Sequence, residues 1–360
     1  MGVQERIKEI EEEMARTQVN KATEYHLGVL KAKLAKLRRE LIAPKGTASG
    51  GGFEIKRSGD ASIVLIGLPS VGKSTLLGKL TNRESKVAAY AFTTLTCIPG
   101  VMEYKGAKIQ VLDLPGIIEG AKDGKGRGRE VIAVARNSDL ILILVEATHP
   151  KQAKVIESEL YGFGIRTNQK PPHVVISTVL RGGVTINSTV KLTKISEHEI
   201  IAALNEYRIF NANVVLREDI TIDQFIDVLE GNRAYIPAVY LFTKCDLVSK
   251  KELEKEQVKL DIAISAEKGE GIKQLKELVY EKLGLINIYT KRKGEDADLE
   301  EPLVVRKGIK IGEVCERLHR DLRKDFRYAM VWGKSVKHQP QKVGVNHVLV
   351  DGDVIQIVKR

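Results

Sequence analysis

The chain is poor in cysteine, has no long apolar run and carries fewer acids than bases. Three cysteines occur in 360 residues, Cys97, Cys245 and Cys315. Their spacings match no metal-ligand pattern, so they read as reduced thiols of a cytosolic protein. The longest apolar run, "LILILV" at 140–145, is too short to cross a bilayer. The opening "MGVQERIKEIEEEM" lacks the apolar core of a signal peptide. Arg6 stands where a myristoylation signal needs Ser or Thr. There are no internal repeats, and low complexity is confined to the glycine-rich "APKGTASGGG" at 43–52. These absences lead to the expectation of a cytoplasmic location and no membrane partner.

The shortage of acid leaves 58 Lys and Arg against 47 Asp and Glu, a formal charge of +11. Such an excess favours a polyanionic partner such as nucleic acid, with no DNA specificity implied. A lysine-rich soluble surface accounts for it equally well. At this length two to four structural units are expected.

What is present sorts into segments. Residues 3–42 carry two helical patterns. Ile7, Ile10 and Met14 share one face of the first, and Leu27, Leu30, Leu34, Leu37 and Leu41 form a 3-4-3-4 stripe on the second. Asn20 is the expected cap between them. Lys31, Lys33, Lys36, Arg38 and Arg39 occupy the opposite face without an acid among them, as a solvated coiled-coil face or a polyanion-binding face. Strand and helix patterns then alternate from "SIVLIG" (62–67) to the helix "IKQLKELVYEKLG", which implies a mostly parallel sheet covered on both sides. Residues 161–235 break the alternation with "HVVISTVL", "VTINSTVKLT" and two helices, read as an inserted α+β subdomain. Another small α+β unit follows residue 286. The expected units are 1–45, then 60–160 with 236–285, then 161–235, then 286–360.

"GLPSVGKS" at 67–74 fits G-x-x-x-x-G-K-[ST] between a strand and a helix, the context a phosphate loop needs. Gly67 and Gly72 let the backbone curl so that its N–H groups face phosphate oxygens. Pro69, Ser70, Val71 and Thr75 complete the expected lining. Lys73 is placed to reach the β- and γ-phosphates, and Ser74 to offer its hydroxyl to Mg²⁺. Asp113 ends a later strand and can reach the same metal. In "DLPG", the Gly116 N–H is placed for the γ-phosphate, as a catalytic contact with Lys73. Thr93 or Thr94 of "AFTTLTC" is expected to close over the γ-phosphate and metal, with Thr94 favoured.

Two further motifs address a base. In "TKCD" (243–246), the Asp246 carboxylate can accept both N1–H and N2–H₂ of guanine, whereas adenine would leave it unpaired. Thr243 opens that motif, and Lys244 is expected to lie along the base. In "SAEKG", Ser265 and Ala266 belong to the expected nucleotide site, with the Ala266 N–H expected to bind guanine O6. Each tetrapeptide is weak evidence alone, but four motifs in order, each after its own strand, form a specific signal.

The set is that of the P-loop GTPases. More closely, the chain resembles the developmentally regulated GTP-binding proteins, an archaeal and eukaryotic branch of the Obg-like GTPases. "GLPSVGKSTLL", "FTTLTCIPGV", "LDLPGIIEGAKDGKGRGREVIAVAR", "REDITIDQFIDVLEGNRAYIP" and "YAMVWGKSVKHQPQKVGVNHVLVDGDVIQIVK" carry the likeness, which runs end to end. The resemblance implies an α/β fold with four parts. These are an N-terminal helical hairpin, a GTPase parallel sheet, an inserted subdomain like part of a ribosomal small-subunit protein, and a β-grasp-like TGS domain. It implies GTP and GDP as ligands, Mg²⁺ as cofactor, K⁺ as an activator, and a role on the ribosome in translation.

Three positions depart from the commonest pattern. Thr243 stands where GTPases usually carry Asn. Ser70 stands where potassium-activated members carry a potassium-binding Asn. Ile117 stands where Ras-like proteins carry a water-orienting Gln, so slow intrinsic hydrolysis is expected, raised by K⁺ or a partner protein. Arg127 and Arg129 are candidates for a charge-stabilising finger or for contacts with a partner or RNA.

Residues 306–342 hold eleven Lys and Arg against four Asp and Glu. Arg317, Arg320, Arg323, Lys324 and Arg327 are spaced to cluster on one helical side, near Tyr328 and Trp332 as stacking groups. With the basic hairpin helix this suggests two contacts for ribosomal RNA. Alternatives are a nucleotide-gated adaptor with incidental turnover, or an NTPase with base specificity loosened at Thr243.

Overall fold

A computed structural model describes residues 2–18, 20, 23–42, 59–81, 88–89, 96–114, 133–248, 260–292 and 294–359. Two antiparallel-looking helical patterns at the start are helices α1 (Val3–Arg16) and α2 (Glu24–Ile42). Asn20 caps the turn between them. Its Oδ1 accepts from the Thr23 N–H at 3.0 Å, and its own N–H donates to the Thr23 hydroxyl at 3.0 Å.

The sheet segment follows as β1 (Ala61–Gly67), α3 (Lys73–Leu80), β2 (Ala88–Ala89), β3 (Thr96–Tyr104), β4 (Ala107–Asp113), β5 (Leu140–Glu146) and α4 (Gln152–Gly162). It is completed after a long excursion by β11 (Ala238–Thr243), β12 (Ile262–Ala263) and α7 (Ile272–Lys282). The order is β12-β11-β5-β1-β4-β3-β2. All neighbours from β12 to β4 are parallel, and only the β3 edge runs antiparallel. Lys105 and Gly106 turn that hairpin with φ of 49° and 80°, the primed form whose twist suits a strand pair.

Near-continuous apolar runs are what a parallel sheet covered on both faces requires. Along β1, Val64 and Ile66 face Ile156 and Leu160 of α4. Ile63 and Leu65 face Leu76 and Leu80 of α3 and Leu275 and Val279 of α7. Each fully buried Leu or Ile contributes about 1.5–3 kcal/mol, so the edge from which the loops spring is held rigidly.

The excursion runs through β6 (Ile165–Thr167), β7 (Val174–Thr178), β8 (Val184–Ser188), α5 (Glu197–Glu206), β9 (Ala212–Leu216), α6 (Ile222–Glu230) and β10 (Ala234–Ile236). β6 and β10 pair in parallel, so the chain returns beside its point of departure. The two β-rich runs joined by "RGG" do not pair with each other. β9 lies between them, antiparallel to β7 and parallel to β8.

α2 packs on this excursion. Ala32 is fully buried among Ile200, Leu204 and Phe225. Gly28 faces the same surface, where a Cβ would meet Glu199 Cγ at an ordinary contact distance of 3.8 Å. Four of the five cations named on the basic face of α2 meet acids of the chain, while Lys33 stands exposed. Lys31 binds Asp223 at 2.8 Å, Lys36 binds Glu206 at 3.2 Å, Arg38 binds Glu11 at 2.7 Å and Arg39 lies 3.8 Å from Glu230.

The last part contains β13 (Leu285–Thr290), β14 (Leu303–Arg306), α8 (Ile311–Leu318), α9 (Arg320–Lys324), β15 (Phe326–Trp332), β16 (Gln341–Val343) and β17 (Val354–Lys359). Its sheet order is β14-β13-β17-β15-β16, over a core of Ile288, Val305, Ile311, Val314 and Val331. The expected single helical side of arginines is corrected here. His319, extended at φ −165° and ψ 134°, separates α8 from α9, and Arg327 lies on β15. Among the described residues no helix is long and apolar enough to cross a membrane.

Candidate nucleotide site

Parallel pairing places the ends of β1, β4, β11 and β12 on one edge of the sheet, where open α/β sheets bind ligands. Gly67 ends β1. A Cβ there would stand 2.7 Å from the Leu144 carbonyl oxygen and 2.9 Å from Val71 Cγ2, so the tight start of the loop needs glycine. Val71 is buried while Pro69, Ser70, Ser74 and Thr75 are exposed. Gly72 caps α3 with φ 93° and offers no side chain to the first-turn N–H groups, which suits an anion there.

Lys73 lies back over the loop, its Nζ donating to the Gly67 and Leu68 carbonyls at 3.0 and 2.9 Å. Burial lowers its pKa, and the Asp113 charge opposes that. Leu65 of β1 registers with Asp113 of β4, which brings the carboxylate to the root of α3. There the Ser74 hydroxyl donates to Asp113 Oδ2 at 2.8 Å. Burial raises the Asp113 pKa, while the Ser74 hydrogen bond and the Lys73 charge pull it down. A hydroxyl and a carboxylate are hard oxygen donors of the kind Mg²⁺ takes beside phosphate. The pair therefore fits that ion.

The second cluster lies one strand beyond β5, about 10 Å from β1 on strand spacing. Thr243 is buried, and its hydroxyl donates to the Val145 carbonyl at 3.3 Å. Lys244 adopts φ 56° at the turn, with Nζ 3.2 Å from Glu146 Oε1. Asp246 lies 3.6 Å from Lys268 Nζ. A hydrogen bond from the Ser265 side chain holds its carboxyl below the usual value. Ser265 is buried and donates its N–H to the Glu270 carbonyl at 3.1 Å, and Ala266 follows it. Thr243, Lys244, Asp246, Ser265 and Ala266 thus converge from two loops.

Glu146 and Lys268 were not anticipated. Glu146 closes "LILILVE", and its pairing depends on β5 lying beside β11, which no local pattern states. Lys268 stands inside "SAEKG" and had a local signal, an amine three residues after Ser265. Thr93, Thr94, Gly116, Ile117, Arg127 and Arg129 lie outside the described residues.

The fold and this edge define a P-loop GTPase. Sequence comparison agrees. Residues 62–178 match the family described as 50S ribosome-binding GTPase. Residues 181–285 match the C-terminal region of the MMR_HSR1 domain, and 286–359 the TGS domain. An uncharacterized GTP-binding protein of Methanocaldococcus jannaschii is 53% identical over 99% of this chain and 93% of its own. Human developmentally-regulated GTP-binding protein 2 is 51% identical over 100% of both chains. The chain belongs to the developmentally regulated GTP-binding protein family. Among solved structures, the YchF GTPase of Schizosaccharomyces pombe aligns with 84% of this chain and 99% of its own, at 15% identity and a TM-score of 0.43. The protein is a GTP-binding protein, of a family that generally hydrolyses GTP with Mg²⁺.

Proposed function

We propose that this protein is a GTP-hydrolysing switch that works on the ribosome. The observation that carries the reading is the convergence of Lys73, Ser74 and Asp113 at one end of the sheet edge, with Asp246 and Ser265 at the other. In this reading Gly67, Pro69, Ser70, Val71, Gly72 and Thr75 wrap the phosphates through their backbone. Lys73 leaves the loop carbonyls to neutralise β- and γ-phosphate oxygens. Ser74, Asp113 and Thr94 hold Mg²⁺, which when bound spreads the charge developing on the phosphate oxygens. Gly116 donates its N–H to the γ-phosphate. Thr243, Lys244, Asp246, Ser265 and Ala266 hold guanine.

Catalysis of this kind is positioning plus charge neutralisation. Ile117 has no group to orient water, so hydrolysis is slow until K⁺ or a partner protein supplies what is missing. Single-turnover hydrolysis with K⁺ replaced by Na⁺ tests this, and a fast rate indifferent to the cation sinks it.

The ribosomal part is supported by the description of the matching family and by the basic C-terminal segment. Within that segment Arg317 pairs with Asp60 at 3.1 Å, and Arg306 and Arg323 pair with Asp139 and Glu316. Cosedimentation with ribosomes should require GTP or a non-hydrolysable analogue and weaken with GDP. Charge reversal at Arg320, Arg323 and Arg327 should abolish it. Sedimentation indifferent to nucleotide would favour a gated adaptor instead.

A further inference from the structure

Parallel pairing sets Glu146, the last residue of β5, beside Thr243, the last of β11. Thr243 is buried and turns its hydroxyl in to the Val145 carbonyl at 3.3 Å. It anchors the strand end. Lys244, the next residue, leaves the sheet with φ 56°, a left-handed turn that residues with a side chain seldom adopt. Its ammonium reaches the end of β5 and lies 3.2 Å from Glu146 Oε1. Among the described residues Lys244 pairs with Glu146 alone, while Lys268 takes Asp246 at 3.6 Å.

Glu146 is itself held. Partial burial works against its charge, but hydrogen bonds from Lys244 and from the Thr148 side chain keep its carboxyl below the ordinary value. The Thr148 hydroxyl in turn lies 2.8 Å from His149 Nδ1. A chain of polar contacts therefore runs from the loop before α4, through Glu146, to Lys244.

We propose that Glu146 is a positioning residue for the purine nucleotide: it tethers the tip of Lys244, so that the stem is laid out for the base before the nucleotide arrives. The inference rests on the placing of Lys244 along guanine in the reading above. The Lys244 and Glu146 side chains are 37% and 24% exposed, and an ion pair this open adds little to fold stability. Its effect is on freedom. Lysine is among the side chains with most rotamer entropy to lose, and lying along a base requires losing it. An amine already held at its tip has lost much of it beforehand. A stem along the ring plane does not read the 2-amino group, as Asp246 does, so the tether serves any purine that enters.

The test measures binding of GDP and IDP to the full chain with Mg²⁺, by displacement of a fluorescent GDP analogue. Glu146→Gln keeps the size of the side chain and removes its charge. It should weaken both nucleotides alike, by about tenfold. Glu146→Asp, still charged, should recover most of that loss. Thr148 is exposed, so Thr148→Val carries the test if the Glu146 variants unfold, and it should give a smaller loss in the same direction. In a Lys244→Ala background Glu146→Gln should have no further effect. The melting temperature of the nucleotide-free protein should not change with Glu146→Gln. Equal losses with and without Lys244, or a loss that tracks a fall in melting temperature, would make Glu146 a structural residue and overturn the proposal. Full affinity in Glu146→Gln, with Lys244→Ala impaired, would overturn it alone. Full affinity in Lys244→Ala would take Lys244 out of the base site, and that part of the functional reading would fall together with the proposal.

Discussion

Ser74 Oγ donates to Asp113 Oδ2 across 2.8 Å, joining the first turn of α3 to the end of β4. The two groups fitted for Mg²⁺ are therefore bound to each other before the ion arrives. The Ser74 oxygen keeps lone pairs for the ion while its proton stays hydrogen-bonded to Asp113, so loading would need an ionised carboxylate in a buried site. Burial holds the Asp113 pKa above the ordinary carboxyl value. A carboxyl raised on folding binds more protons in the folded state, so stability falls as pH rises from the ordinary value through the raised one. Asp113→Asn should remove this dependence and stabilise the ligand-free protein at neutral pH. It should also weaken Mg²⁺-dependent nucleotide binding. Thermal unfolding between pH 4 and 8, with and without Mg²⁺·GDP, would show both effects.

Asp246 should set the choice of base. Its carboxylate is already held by Ser265 and lies near Lys268, so guanine meets a prepared acceptor. Asp246→Asn removes one acceptor and adds a donor, which matches the 2-oxo group of xanthine. GTP affinity should drop about 100-fold or more, and XTP should then compete better than GTP. Fluorescent-nucleotide displacement measures this. An unchanged GTP affinity would remove Asp246 from the base site.

Asp227 should be a structural keystone with no part in turnover. Arg166 Nε and Nη2 each donate to its carboxylate at 2.6 Å, and Arg233 Nε donates at 2.8 Å. The Arg166 guanidinium also lies 3.5 Å over the Tyr161 ring. Removing the one carboxylate leaves two buried guanidiniums uncompensated. Asp227→Ala should cost about 3–5 kcal/mol in urea denaturation. Replacing the network with Asp227→Leu, Arg166→Met and Arg233→Met should recover much of that loss, because charge and countercharge leave together.

The hairpin cations should matter for docking rather than for RNA. Lys31→Glu and Arg38→Glu each break a partly exposed pair within the chain. Each should cost about 0.2–1 kcal/mol and leave GTP-dependent ribosome cosedimentation unchanged. Loss of cosedimentation without loss of thermal stability would return this face to the RNA-binding surfaces.

Several features were legible without coordinates because they are local. The apolar runs of β1 and β5, the glycines at 67 and 72, and the Lys73–Ser74 step each state their geometry within a few residues. "TKCD" and "SAEKG" likewise mark the two loops that the fold brings together after β11 and β12. Other features depended on which strand lies beside which. Glu146 meets Lys244 only because β5 neighbours β11. β7 and β8 are consecutive in sequence and are separated by β9 in space. The arginines after Ile311 follow a helical spacing, yet the chain straightens at His319 and Arg327 joins a strand.

The sequence by itself determined the parallel sheet, the phosphate loop and the positions of the two loops proposed to read guanine, since their patterns are written in contiguous residues. Tertiary structure alone decided where the charges go. Lys31, Lys36, Arg38 and Arg39 form an acid-free stripe in sequence, and folding places Asp223, Glu206, Glu11 and Glu230 against them. An ion pair is set by long-range register and packing, which short-range patterns do not encode.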